Sequence, residues 1–176
     1  MTLCEGDAWF YLSWIFFNFA ITQILAGGIR SSSEFYAKRK KPPLSPPGIV
    51  FPIVWTALYI LLGFSAGLVH LSGGWSAVGF PLGFFMGHML INALWTPFFF
   101  RWKLILFSAF WIVLVDATAL ATFLIFHHYS HLASYLMIPY LVWLVFATYL
   151  NWGVVVCEIN HRNPSSSSAT RIIPSY

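Results

Sequence analysis

Five stretches of this chain, at 9–29, 49–71, 78–100, 104–126 and 132–156, are each long enough to cross a bilayer as a helix, and none contains a Lys or an Arg. A hydrocarbon core about 30 Å thick needs about 20 mostly apolar residues in helical form. The runs are too long for barrel strands and show no period-two alternation of polar and apolar residues. They predict an all-α membrane protein, a bundle of five transmembrane helices. Composition agrees. Only 8% of the 176 residues are charged and 59% are hydrophobic, whereas a soluble domain carries roughly 25% charged residues. Intrinsic disorder is excluded by the same figures, and a disulfide scaffold by a cysteine count of two. The excess of bases is small and gives no reason to expect a nucleic-acid partner. The partner implied at this level is the lipid bilayer.

The charges provide an independent check. With five spans, the first and third loops and the C-terminus share one side. Arg30, Lys38, Arg39, Lys40 and Lys41 fall in the first loop, Arg101 and Lys103 in the third, and Arg162 and Arg171 in the tail. All nine bases therefore lie on one side, and the positive-inside rule makes that side cytoplasmic, with the C-terminus. Glu5 and Asp7 place acid rather than base ahead of the first span, and its apolar run exceeds the roughly 7–15 residues of a signal-peptide core, so it is expected to remain as a helix. Residues 1–157 form one domain, and 158–176, with Pro164 and Ser165–Ser168, is expected to be a disordered polar tail. Cys4 and Cys157 fall on opposite sides of the membrane, which excludes an internal disulfide between them.

Several features carry chemical meaning. Gly63-Phe64-Ser65-Ala66-Gly67 has the spacing of a hydrolase nucleophile elbow, which requires a strand–turn–helix setting. Inside an apolar helix the two glycines instead predict close helix packing. Gly79, Gly83 and Gly87 form a second small-residue stripe, suited either to an internal contact or to a dimer. His127, His128 and His131 sit at a membrane boundary and read as an interfacial turn; no metal site is expected. Asp116 is the one carboxylate within the spans. A charge at that depth usually faces the bundle interior, and it serves either a function or a hydrogen-bonded contact. Pro52, Pro97 and Pro139 lie within or near spans and should kink helices or free backbone groups. Pro46 or Pro47 suits the first turn of the second helix.

Large rings and a few polar groups share helical faces. Trp55 and Tyr59 are four apart; His88, Asn92 and Trp95, and likewise Trp143, Ala147 and Leu150, follow at four and seven. Such faces suit either a flat apolar ligand with polar edges or ordinary aromatic packing.

Four ordered motifs are similar to those of a known family. Residues 41–47, KPPLSPP, resemble its proline-rich loop, and Trp55-Thr56-Ala57-Leu58-Tyr59 its next helix. Pro81-Leu82-Gly83 followed by Asn92-Ala93-Leu94-Trp95-Thr96-Pro97-Phe98-Phe99-Phe100 resembles its third, and the run from Pro139 to Asn151 its fifth. The chain is identified on these motifs as resembling the translocator protein family (TspO/MBR, the peripheral-type benzodiazepine receptor). The resemblance implies a five-helix bundle, a homodimer through the third helix, and no obligatory cofactor. It implies tetrapyrrole ligands (protoporphyrin IX, haem), sterols such as cholesterol, and isoquinoline or benzodiazepine drugs, with roles in transport, sensing or scavenging. The ligand-binding residues it implies are Tyr36, Trp55, Asn92, Trp95, Trp143, Ala147 and Leu150. The membrane it implies is the mitochondrial outer membrane in a eukaryote and a cell-envelope membrane in a bacterium. The chain also departs from the family. Phe35 stands where a loop tryptophan is common, and Leu44 replaces an aromatic residue. No Lys or Arg lies between Tyr149 and Arg162, so the sterol-recognition pattern is absent. A light- and oxygen-dependent porphyrin-degrading enzyme is the alternative function. An ion-coupled transporter fits less well, because the chain has no internal repeat and a single intramembrane carboxylate. No acid–base pair, nucleophile or metal set marks ordinary catalysis.

Overall fold

The structure, a computed structural model, describes residues 7–26, 42–73 and 75–162. Five helices are long and apolar enough to cross a membrane. They are α1 (Asp7–Ala26), α2 (Val50–Leu71), α3 (Trp75–Thr96), α4 (Ile105–Tyr129) and α5 (His131–Arg162). Most of the expected boundaries shift by a few residues, two of them informatively. α2 begins at Val50, after Pro46 and Pro47, and it is Pro52 that occupies the first turn, where no helical N–H is required. α5 continues to Arg162, into the segment expected to be tail. Nothing between Val156 and Arg162 breaks a helix, and the next proline is Pro164.

The prolines within the spans are accommodated in two ways. Pro139 lies inside a continuous α5, and Pro81 inside α3. At Pro97 the α-helix gives way to a π-helical turn, Pro97–Arg101. Pro has no N–H to continue the ladder, and a wider turn re-pairs the carbonyls beyond it. The N–H of Trp102 reaches Pro97 O at 2.9 Å, and that of Leu104 reaches Phe98 O at 2.9 Å. Between α4 and α5 the expected five-residue turn contracts to Ser130 alone, in extended conformation. Its N–H bonds Phe126 O at 2.8 Å, and its hydroxyl receives the Ala133 N–H at 3.3 Å. One residue thus ends one helix and caps the next, so His127 and His131 lie on helices and not in a loop.

The helices close into a ring in the order α1, α2, α5, α4, α3, with α2 and α3 also touching across it. Polarity is arranged inside out. Asn18, Ser65, His88, Ser108, Thr122, Ser134 and Asn151 are buried, while Trp9, Ile53, Phe80, Phe110 and Val145 are each more than 60% exposed. An apolar exterior on every helix marks a surface that meets lipid.

The glycines sort by neighbour. Gly63 and Gly67 face α1. A Cβ at Gly63 would fall 2.7 Å from the Ile15 backbone nitrogen and Cα, and one at Gly67 would enter the Tyr11 ring. Ser65, between them, donates to Ala133 O of α5 at 2.7 Å. The G-x-S-x-G run is therefore a packing device that joins α2 to α1 and α5. Gly79, Gly83 and Gly87 have no atom within 4 Å of the corresponding point among the described residues, so a side chain added on their stripe would meet open space there. Gly63→Leu should thus destabilise the detergent-solubilised protein by about 1–3 kcal/mol or more through overpacking, measured by thermal or SDS unfolding. Gly83→Leu should leave the fold of the single chain intact.

Candidate ligand-binding site

The aromatic faces expected from the sequence meet in the ring's interior. Trp55 and Tyr59 are one turn apart on α2, with ring centroids 5.4 Å apart. From α5, Trp143 stands edge-on to Trp55 at 6.5 Å and 90°, and Tyr140 reaches it at 6.3 Å. Phe51 and Phe146 extend the wall, 5.9 and 5.5 Å from Trp143. On α3, Asn92 lies beside the Tyr59 side chain, and Trp95, one turn further on, stacks on Phe99 of the π-helical turn at 5.1 Å. The wider turn brings Phe99 and Phe100 against the Trp95 indole. Trp55, Tyr59, Trp95 and Trp143 all pack on one core cluster, which includes Leu58, Met89, Tyr140 and Leu144.

Three N–H groups in this region have no acceptor in hydrogen-bonding geometry among the described residues, although the Asn92 amide faces the Tyr59 hydroxyl. Asn92 Nδ2, Trp95 Nε1 and Trp143 Nε1 are buried and without a hydrogen-bond partner among the described residues. A polar group buried without a partner costs about 1–3 kcal/mol, and the surrounding bilayer core has no water to relieve it. All three are donors, so the chemistry that would satisfy them is an acceptor: a carbonyl, a carboxylate or a ring nitrogen.

A second polar set brackets the aromatic wall. His88 of α3 pairs through Nε2 with the Tyr140 hydroxyl at 2.8 Å and through Nδ1 with Thr118 Oγ1 of α4 at 2.9 Å. One imidazole thus ties three helices. Asn18 of α1 donates through Nδ2 to Tyr59 O at 3.1 Å, its backbone carbonyl accepts the Thr22 hydroxyl at 2.7 Å, and its Oδ1 is buried without a partner among the described residues. Of these residues the sequence suggested His88 only as part of a face; its spacing from Asn92 was the available signal. Thr118 and Tyr140 carried none beyond their place in apolar runs.

The remaining candidates divide. Ala147 is half-buried and Leu150 is buried, one and two turns along α5 from Trp143. Asp116 is held at the seam of α4 and α5, where Oδ2 accepts the Thr148 hydroxyl at 2.7 Å and Oδ1 is buried without a partner. Tyr36 lies outside the described residues, as do Phe35, Cys4 and the Lys38–Lys41 run. The end of the proline loop is described. Pro42 packs over Gly153 of α5, where no side chain would fit, and the Tyr149 hydroxyl donates to Pro43 O at 3.0 Å. Leu44 follows with a positive φ of 65°, a turn geometry that few non-glycine residues adopt. The loop is thus anchored on α5 next to Leu150.

Five membrane-crossing helices closed into a ring around an aromatic interior mark a multi-pass integral membrane protein. The chain belongs to the TspO/MBR family, whose model matches residues 10–156. It is 36% identical over 123 residues to the human (Homo sapiens) translocator protein, covering 69% of this chain and 73% of that one. It is 34% identical over 141 residues to the tryptophan-rich sensory protein of Cereibacter sphaeroides, covering 80% and 85%. Protein CrtK of Rhodobacter capsulatus is 32% identical over 131 residues, covering 73% and 81%.

The His88 tie has a measurable strength. Tyr140→Phe removes one interhelical hydrogen bond and should lower unfolding stability by about 0.5–1.5 kcal/mol. His88→Ala, which loses two such bonds and opens a cavity, should cost about 2 kcal/mol or more. SDS unfolding of the purified variants checks the order.

Proposed function

We propose that this protein binds flat, acceptor-bearing ligands inside its helix ring, tetrapyrroles such as protoporphyrin IX or haem foremost and sterols as a second class, and serves in their transport, sensing or scavenging. The observation that carries this reading is the set of three buried donors, on Asn92, Trp95 and Trp143, without partners along an aromatic wall. A macrocycle would lie among Trp55, Trp95 and Trp143, bury its faces against indoles, and present acceptors to the three N–H groups. Ala147 and Leu150 would form the floor on α5. Tyr36 and the basic residues of the first loop would cover the opening and meet carboxylate substituents. The names of the relatives, a translocator and a sensory protein, fit movement or sensing of such a ligand.

The protein acts in this reading as an integral membrane homodimer joined at Gly79, Gly83 and Gly87, where an added Cβ would meet no atom among the described residues. It sits in the mitochondrial outer membrane in a eukaryotic cell and in an envelope membrane in a bacterium, with its C-terminus in the cytoplasm. Sterol binding would use the bundle itself, since the recognition pattern after Tyr149 is lacking.

Ligand affinity separates the site from the rest of the surface. Trp143→Ala should weaken protoporphyrin IX binding about tenfold or more, and Asn92→Leu several-fold, while His131→Ala leaves it unchanged. Tryptophan quenching in detergent reads all three, and equal affinities in Trp143→Ala and His131→Ala would remove the pocket assignment. A second reading, light-driven porphyrin breakdown with dioxygen as oxidant, is favoured by the Trp55–Trp143 contact, which would set two oxidisable indoles against the photosensitiser. It predicts loss of the Soret band under illumination beyond that of a free-tryptophan control.

A further inference from the structure

We propose that Tyr140 and His88 form a redox relay: Tyr140 re-reduces indoles of the aromatic wall after they lose an electron, and His88 takes the phenolic proton. The relay rests on the light-driven reading above for its oxidant and adds to it a site of electron supply. Trp55 and Trp143 meet edge-on at 6.5 Å, and Trp55 lies 6.3 Å from the Tyr140 ring. Rings this close exchange an electron without an intermediate carrier. Tyr140 and His88 are both buried, and the Tyr140 hydroxyl lies 2.8 Å from His88 Nε2.

The hydrogen atoms set the direction of that bond. Thr118 Oγ1 has one hydrogen to give, and it lies 2.9 Å from Leu114 O and 2.9 Å from His88 Nδ1. When Thr118 donates to the carbonyl, His88 donates Nδ1–H to Thr118, and Nε2 accepts the Tyr140 hydroxyl. Each of these groups then has its partner. The opposite arrangement sets Nε2–H against the Tyr140 oxygen and leaves the phenolic hydrogen with no acceptor among the described residues, which burial penalises. The first arrangement is therefore the resting one, and it holds a base already bonded to the phenol.

A phenol that loses an electron becomes a strong acid, so a tyrosine gives up an electron readily only where a base stands ready for its proton. Tyr59 also touches Trp55, at 5.4 Å, but its hydroxyl faces the Asn92 amide and the Thr22 hydroxyl, and neither is a base. The imidazole of His88 is one. The step balances. An indole that gives one electron to a photo-excited porphyrin becomes a radical cation. Tyr140 returns one electron to it and the O–H proton moves to Nε2, leaving a neutral indole, a neutral tyrosyl radical and an imidazolium. Positive charge moves from indole to imidazole, and none is created in the membrane interior. Superoxide, formed when dioxygen takes the electron the porphyrin received, reduces the radical, and the proton returns from His88. The relay spares Trp55 and Trp143 from irreversible oxidation.

The test uses full-length protein in detergent without porphyrin, so that failure of the relay and failure of ligand binding are read apart. Laser photo-ionisation at the red edge of tryptophan absorption, where tyrosine is transparent, makes indole radicals directly. Transient absorption follows their decay and the rise of tyrosyl, and electron paramagnetic resonance on frozen samples identifies the radical. A rapid tyrosyl phase, slowed in heavy water, is expected in the parent. Tyr140→Phe should lose that phase. His88→Gln, which keeps a hydrogen-bonding side chain but no base, should slow it about tenfold or more. Tyr135→Phe, outside the wall, should keep it. Gel filtration and circular dichroism establish that each variant is folded, and His88→Gln serves if Tyr140→Phe is not. A rapid phase that is absent from the parent, undiminished in folded Tyr140→Phe or unchanged in rate in folded His88→Gln would overturn the relay. A porphyrin that fails to bind would overturn the light-driven reading instead.

Discussion

In hydrocarbon a polar atom has no solvent, so it must find its partner within the protein. The remaining features of this bundle follow from that constraint. It drives Asn18, Ser65, His88, Ser108 and Asn151 inward while phenylalanines, leucines and valines face out. It makes Ser65 reach across to Ala133 O and sets His88 between Thr118 and Tyr140. With no hydrophobic effect to press helices together inside lipid, these bonds and the close approach at Gly63 and Gly67 determine which helices adjoin. The exceptions are then informative. The donors on Asn92, Trp95 and Trp143 go unanswered among the described residues, as do the acceptors Asn18 Oδ1 and Asp116 Oδ1, and the proposed ligand site would answer the three donors.

The long apolar runs made the five helices legible before any coordinates, because length and hydropathy alone separate a span from a loop. The small-residue pair at Gly63 and Gly67 was legible as packing because its hydrolase alternative needs a strand. Local signals failed where tertiary structure decided. The helix that continues past Val156 had no marker until Pro164, and the single-residue break at Ser130 depends on capping bonds that join two helices. The π-helical turn after Pro97 is one of several ways a helix can absorb a proline, and the backbone bond from Trp102 to Pro97 shows which was taken.

The site was legible in the same uneven way. Spacing placed Trp55 with Tyr59, and Asn92 with Trp95, on common faces, and the ring order brings those faces together. Tyr140 and Thr118 sit in apolar runs like any other residue, and their pairing across three helices cannot be read from one helix at a time. The seat of the proline loop on Gly153 and Tyr149 joins positions about a hundred residues apart. Asp116 had two readings. The Thr148 bond shows a tie between α4 and α5, and its second oxygen still lacks a partner among the described residues.

The central claim, that unpartnered interior N–H groups receive a ligand's acceptors, is tested most directly by nuclear magnetic resonance of the indole N–H groups. The chain has nine tryptophans, and 15N-tryptophan labelling with single-residue assignment resolves Trp95 and Trp143 from outward-facing Trp9 and Trp102. On adding protoporphyrin IX, the Trp95 and Trp143 indole protons should move downfield, as hydrogen-bonded N–H groups do, and become protected from exchange, while Trp9 and Trp102 stay unchanged. Saturable binding that leaves Trp95 and Trp143 unmoved, or that shifts Trp9 and Trp102 instead, would contradict an interior site.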